Sequence, residues 1–256
     1  MKKTVAVITG GAGHIGRETC LKLAARGTQM VVVDKNEKAG LDLVQKLESE
    51  FGNKHLFLNV DLLEPTSFSQ VATAIQGHFG QLDYVINNAA FYDEVSGWGV
   101  PYEQEGYEAW MKVMQVNLLA PFFLVQALSP LLKKSSQASV VNVSSIYGVV
   151  GPDHRLYEGT EMTNPAAYSA SKGGLIQLTK WLSMVLAPQV RVNTVTPGGV
   201  ERGQLEVFAE RYKARTPLKR MATENDVADA ISFLLSSESA YITGQNLIVD
   251  GGWTVW

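Results

Sequence analysis

Tyr168 and Lys172, within the segment YSASK, stand four residues apart, so a helix puts the phenol and the ammonium on one face. A free phenol loses its proton only near pH of about 10, too high for a base at neutral pH. An adjacent cation stabilises the phenolate and brings such chemistry within reach. The pair suits proton exchange with the oxygen of a carbinol or carbonyl group. Of the nine tyrosines, only Tyr168 has a lysine at this spacing. The same spacing also suits a helical tyrosine that merely packs on a lysine stem. Its neighbours must decide.

A carbinol that gives up a proton must also give up a hydride, and the N-terminal end offers a place for an acceptor. After the apolar run Val5 to Thr9 the chain reads TGGAGHIG, Thr9 to Gly16, and passes directly into a helical pattern. In that context Gly10 allows a tight turn, Gly13 lets the backbone approach a pyrophosphate, and Gly16 permits close helix-to-strand packing. His14 and Ile15 then lie at the positive end of the helix. A turn that needs glycine for steric reasons alone is the competing explanation. The next apolar run, Val31 to Val33, ends in Asp34, a carboxylate suited to accept from both ribose hydroxyls and to repel a 2'-phosphate. NAD is therefore favoured over NADP as the cofactor. Two alternatives stay open: Asp34 caps a turn before Asn36, or Lys35 or Arg17 neutralises a 2'-phosphate.

The elements that must position these groups follow from the alternation of apolar, β-rich runs with longer helical patterns. Strands are expected at Val5 to Thr9, Met30 to Val33, Leu56 to Asn59, Tyr84 to Asn87, Ser139 to Ser144, Arg191 to Thr196 and Asn246 to Val249. Helices are expected over Gly16 to Gly27, Glu37 to Gly52, Thr66 to Gly80, Glu108 to Lys134, Ala166 to Leu186 and Glu224 to Leu235. The pattern predicts an α/β fold, a doubly wound, seven-stranded parallel sheet of Rossmann type, with ligands beyond the carboxyl ends of the strands. No repeat or linker marks a boundary, so a single domain over residues 1–256 is expected. Its loops near 91–107, 148–165 and 198–222 are expected to shape the substrate site. The formal charge of −3 and pI near 5.8 provide no basic field for nucleic acid or an anionic membrane. No apolar run free of charges or glycine is expected to reach a membrane span. Cys20 is the single cysteine, which excludes an internal disulfide and suits a soluble, cytoplasmic protein. The four histidines, His14, His55, His78 and His154, lack ligand spacing, so no catalytic metal is expected.

With these motifs in this order, the sequence resembles a short-chain dehydrogenase/reductase over essentially its whole length. Asp61 and Leu62 in NVDL resemble the residues that meet the adenine ring. NNAA, with Asn88 and Ala89 at its centre, resembles the family's NNAG behind the cofactor. Pro197, Gly198 and Val200 resemble the turn beside the nicotinamide, and ITGQNLIVDGGW resembles the last strand. The resemblance implies hydride transfer between NAD(H) and a secondary alcohol or ketone, with a catalytic set of Asn117, Ser145, Tyr168 and Lys172. In that set Ser145, or Ser144 in its place, polarises the substrate oxygen. Asn117, in QVNLLAP, supports a water chain to the lysine; a helix-interior asparagine bonding its own backbone is the alternative. Two positions depart from the pattern: His14 stands where a glycine is usual, and Arg202 where a threonine meets the carboxamide. The family also implies a homodimer or homotetramer.

The stretch between Ser145 and Tyr168 is longer than the family's, by an insert near Asp153 to Pro165 that reads DHRLYEGTEMTNP. It resembles a subgroup associated with flagellin glycosylation and nonulosonate sugars, which implies an amino sugar, sugar phosphate or nucleotide sugar as the small-molecule substrate. Arg155, Tyr157 and Arg202 are the candidate substrate residues, with Arg211, Arg215 and Arg220 as further members of a phosphate clamp; a solvated helix face is the plainer alternative. Two other functions compete: an NADP-dependent ketone reductase of lipid or xenobiotic type, and a nicotinamide-sensing regulator without turnover.

Overall fold

The computed structural model describes residues 3–91 and 99–256. Along β1 (Val5–Thr9), Val5 and Val7 enter one buried apolar cluster while Ala6 and Ile8 enter another. A strand buried on both faces is what a parallel sheet between two helical layers requires. The same alternation recurs in β2 (Gln29–Asp34), β4 (Tyr84–Asn87) and β5 (Ser139–Val143). With β3 (Leu56–Asn59), β6 (Arg191–Pro197) and β7 (Asn246–Val249), these form one seven-stranded sheet in the order β3-β2-β1-β4-β5-β6-β7. Every pairing is parallel. The chain reverses direction of travel between β1 and β4, so the doubly wound arrangement expected from the sequence is present, in a single domain.

Helices α1 (His14–Ala25), α2 (Glu37–Phe51) and α8 (Glu224–Leu235) cover one face. The other face carries α3 (Ser67–His78), α4 (Tyr107–Met114), α5 (Ala120–Leu132) and α6 (Ala166–Leu186). A third, smaller apolar cluster lies beyond the strand ends. There Ile146, Tyr157 and Met221 meet Phe208 and Tyr212 of α7 (Glu206–Arg215) and Trp253 near the C-terminus.

Three expectations need correction. The helix expected over Glu108 to Lys134 is broken into α4 and α5 by a π turn at Gln115–Leu119. That run, Tyr107–Leu132, is also long and apolar enough to cross a membrane by composition, contrary to the expectation; half of the most apolar stretch is buried inside the fold. The segment 198–222, expected as a loop, contains α7, which presents only Phe208, Ala209 and Tyr212 to the interior. Part of the expected loop 91–107 lies outside the described residues.

Candidate active site

The glycine loop joins β1 to α1 under tight steric control. Gly10 has a φ of 60°, and a Cβ there would meet Ala89 Cα at 2.9 Å. A Cβ on Gly16 would meet the Gly10 carbonyl oxygen at 2.2 Å, so this position admits only glycine without movement of the loop. Gly13 caps α1 without a side-chain bond, and the first turn, which begins with His14 and Ile15, holds no acidic residue. Its N–H groups and dipole thus favour an anion. Asn88 closes the loop from β4: its amide donates to the carbonyls of Thr9 (3.1 Å) and Gly10 (3.0 Å), while the Ala89 N–H donates to Thr9 Oγ1 (3.1 Å).

Asp34 caps the turn before Asn36, and it also bonds the glycine loop. Its Oδ1 accepts from the Asn36 N–H, capping the turn, and its Oδ2 accepts from the Ala12 N–H in the glycine loop, each at 3.0 Å. It therefore stands at the loop's edge, at the carboxyl end of β2. Lys35 leans over the ring of Phe91, with Nζ 5.7 Å from the centroid. Asp61 accepts from Leu63 N–H (2.9 Å), and Leu62 is buried beside it. Across the sheet, the Gly198 N–H donates to the Val249 carbonyl, and the Gly199 N–H donates to the Tyr212 hydroxyl, which anchors the turn after Pro197. Val200 pairs with Ala222 in an isolated bridge, and this carries Arg202 toward the N-terminus of α8. There Glu224 Oε1 lies 3.5 Å from Arg202 Nε and 3.7 Å from His14 Nδ1. The two residues that depart from the family pattern share one carboxylate.

At the middle of the sheet a buried polar strut fixes α6. Asn87 donates to Asn142, Asn142 donates to Thr179 of α6, and Thr194 donates to the same Thr179 hydroxyl, at 2.8, 2.8 and 2.7 Å. Bonds of this kind orient the helix as apolar packing alone does not. Lys172 lies beneath Tyr168 on that helix, with its Nζ 5.6 Å from the ring centroid, and donates to the Val143 carbonyl at 2.8 Å. The ammonium is almost fully buried, and loss of hydration pushes its pKa down to about 8. Ser144 and Ser145 are separated by their partners. Ser144 donates to the Lys172 carbonyl (2.9 Å), whereas Ser145 Oγ accepts from the Tyr147 N–H (3.2 Å) and keeps its proton for another acceptor. Asn117 sits in the π turn, and such turns recur at functional sites. It does not bond its own backbone: its Oδ1 accepts from the Phe91 N–H (2.7 Å) and its amide donates to Ser171 Oγ (3.1 Å). Sequence reasoning missed Ser171 and Tyr147, whose neighbours in YSASK and VNVSSIY were the available signal.

The five arginines do not converge on one site, although Arg155 and Arg215 share Asp153. Arg155 is exposed and binds Asp153 through Nε and Nη2, both at 2.8 Å, and Arg215 binds the same carboxylate at 2.6 Å. Arg220 is held by Asp226, Arg211 by the Glu158 carbonyl, and Arg202 by Glu224. In place of the expected phosphate clamp, these guanidinium groups are engaged by carboxylates and carbonyls of the protein itself. Tyr157, by contrast, is buried in the third cluster.

Comparison with known proteins agrees with this geometry. A family model described as Enoyl-(Acyl carrier protein) reductase matches residues 10–254. The chain is 30% identical to the post-translational flagellin modification protein A of Campylobacter coli, covering 99% of each chain. It is 34% identical to trans-4-hydroxycyclohexanecarboxylate dehydrogenase of Sinomonas cyclohexanicum, over 98% of this chain and 92% of that one. Among solved structures, an NAD+-bound xylitol dehydrogenase superposes with a TM-score of 0.86 at 27% identity, covering 97% of this chain and 98% of the other. The chain belongs to the short-chain dehydrogenase/reductase family, and it is an oxidoreductase acting on CH–OH groups.

Proposed function

We propose that the protein moves a hydride between NAD(H) and a secondary alcohol or ketone carried on a ring, with Tyr168, Lys172 and Ser145 as its catalytic residues. The observation that carries this reading is the Lys172 ammonium, buried beneath the Tyr168 ring. A cation in so dry a place is expensive to keep and acts strongly on a neighbouring phenolate. A nicotinamide-sensing protein without turnover has no use for it.

NAD+ supplies the hydride acceptor in oxidation. The glycine loop and α1 would hold its diphosphate through Gly13, His14, Ile15 and Gly16, Asp34 its adenosine ribose, Asp61 and Leu62 its adenine. Asn88, Ala89, Pro197, Gly198 and Val200 would line the nicotinamide half. The fit is supported by a helix whose own first turn holds no acid and by an Asp34 carboxylate at the loop's rim. Asp34 also supports NAD over NADP, and with it a dehydrogenase over a lipid or xenobiotic reductase. In the reaction Ser145 donates its hydroxyl proton to the substrate oxygen while Tyr168 takes the carbinol proton. Lys172 stabilises the phenolate that results. Asn117 is a positioning residue that ties Phe91 to α6.

A ring-borne alcohol is supported by the relative named for trans-4-hydroxycyclohexanecarboxylate, and by the aromatic third cluster beside Ser145. Amino sugars stay within this class; with the arginines engaged elsewhere, the site offers a phosphorylated sugar no ready clamp. A homo-oligomer is supported by Trp181, Met184 and Val185, which stand exposed on α6. The test is Tyr168→Phe. Turnover should fall at least a thousandfold, on the order of general acid–base contributions, while NADH fluorescence titration gives a near-normal Kd. Substantial residual turnover in that variant overturns the assignment.

A further inference from the structure

The insert 153–165 carries a polar group that neither the fold nor the chemistry above employs. Tyr157, just after the short turn His154–Leu156, is buried and turns its hydroxyl toward that of Tyr147, 2.5 Å away. Tyr147 is held beside the reacting groups by its backbone. Its N–H donates to Ser145 Oγ, and the next residue, Gly148, packs so closely on the Lys172 backbone that a Cβ would meet it at 2.6 Å. Tyr157 is fixed from the other side by the Phe208 ring, with centroids 5.5 Å apart. Burial raises the pKa of both phenols, that of Tyr157 to about 12, and Tyr168 lies near enough to add to the rise at each. Both therefore stay protonated at physiological pH. Two hydroxyls carry two protons. The 2.5 Å contact permits either hydroxyl to donate, and with Tyr147 as the donor the Tyr157 proton meets no further acceptor among the described residues. Ile146, Leu156 and Met162 pack in the same apolar cluster, and Asp153 lies near enough to act on both phenols without bonding either. A buried donor without an acceptor is costly, and in a substrate site that cost selects the ligand that supplies one.

We propose that Tyr157, steadied by Tyr147, donates this proton to a second oxygen of the substrate, adjacent to the reacting carbinol. The site then takes ring alcohols with a neighbouring hydroxyl or keto group, as in vicinal diols and sugars, ahead of bare cycloalkanols. This specificity rests on the dehydrogenase reading above.

The test is the ratio of kcat/KM for trans-cyclohexane-1,2-diol to that for cyclohexanol, with NAD+, in the wild type, Tyr157→Phe and Tyr147→Phe. The wild type should prefer the diol. Tyr157→Phe should lower the ratio by on the order of tenfold or more, mainly through a higher KM for the diol. Tyr147→Phe should lower it by a smaller factor, because Tyr157 keeps its proton and loses only the partner that aims it. If Tyr157→Phe does not fold, Tyr147→Phe alone decides. Equal losses on both substrates, an unchanged ratio, or a wild type that prefers cyclohexanol each overturn the proposal. A wild type that binds NADH but turns over neither ring overturns the substrate class. Failure to bind NADH overturns the dehydrogenase reading beneath it.

Discussion

Lys172→Met should make the protein inactive and more stable at once. The lysine's pKa falls from 10.5 to about 8 on burial, with no acid to compensate it. At pH 7 the side chain is protonated both folded and unfolded, so the folded state bears the whole cost of the shift, about 3 kcal/mol. Methionine fills a similar volume without a charge. It leaves the Val143 carbonyl without its donor, a loss of about 1 kcal/mol. The variant should therefore gain about 2 kcal/mol at pH 7. The gap shrinks with alkali. Between pH 8 and 10.5 the folded wild type sheds its proton before the unfolded chain does, so its own stability rises. By pH 9.5 the wild type should recover about 2 kcal/mol, and the gap between the proteins should nearly close. Urea unfolding followed by tryptophan fluorescence, at pH 7 and 9.5 and matched protein concentration, measures this gap directly. A gap of the same size at both pH values refutes the reasoning, because the ammonium would then carry no burial cost.

Gly16→Ala places a methyl group 2.2 Å from the Gly10 carbonyl oxygen; it should cost about 3 kcal/mol and lower the melting temperature by on the order of 10 °C, with NADH binding lost in fluorescence titration. Asp34→Asn removes the charge that would repel a 2'-phosphate, and the NADH-to-NADPH ratio of Kd values should shift toward NADPH by about tenfold or more; an unchanged ratio assigns the cofactor choice to other residues.

The sheet was legible because its strands are short apolar runs between long amphipathic ones, and burial on both faces leaves them little polar content. Their ends differ by a residue at β2, β5 and β6, where the last ladder bond depends on the neighbouring strand. α7 was not legible: EVFAERYKAR is charged on most of its circumference and shows the interior only Phe208, Ala209 and Tyr212. The π turn escaped because a change in hydrogen-bond register leaves no mark on composition. The catalytic pair was legible in YSASK, since one helical turn fixes its geometry. The choice between Ser144 and Ser145 was not, because two identical side chains differ only in what each one touches. The arginines misled for the same reason in reverse. Their number around the insert and the segment 202–220 suggested a common target, whereas Asp153, Asp226 and Glu224 engage four of them.

Glu224 begins α8, where a carboxylate favours the helix end, yet it also sits beside the first residue of α1 and the loop that follows β6. His14, Arg202 and Glu224 come from three distant parts of the chain and meet at a single oxygen, so they behave as one unit of variation. Restoring a glycine at 14 and a threonine at 202 strips the carboxylate of both neighbours and turns it into an unbalanced negative charge at the mouth of an anion site. A graft of the usual loop into this protein, or of this loop into a relative, therefore has to carry all three positions together.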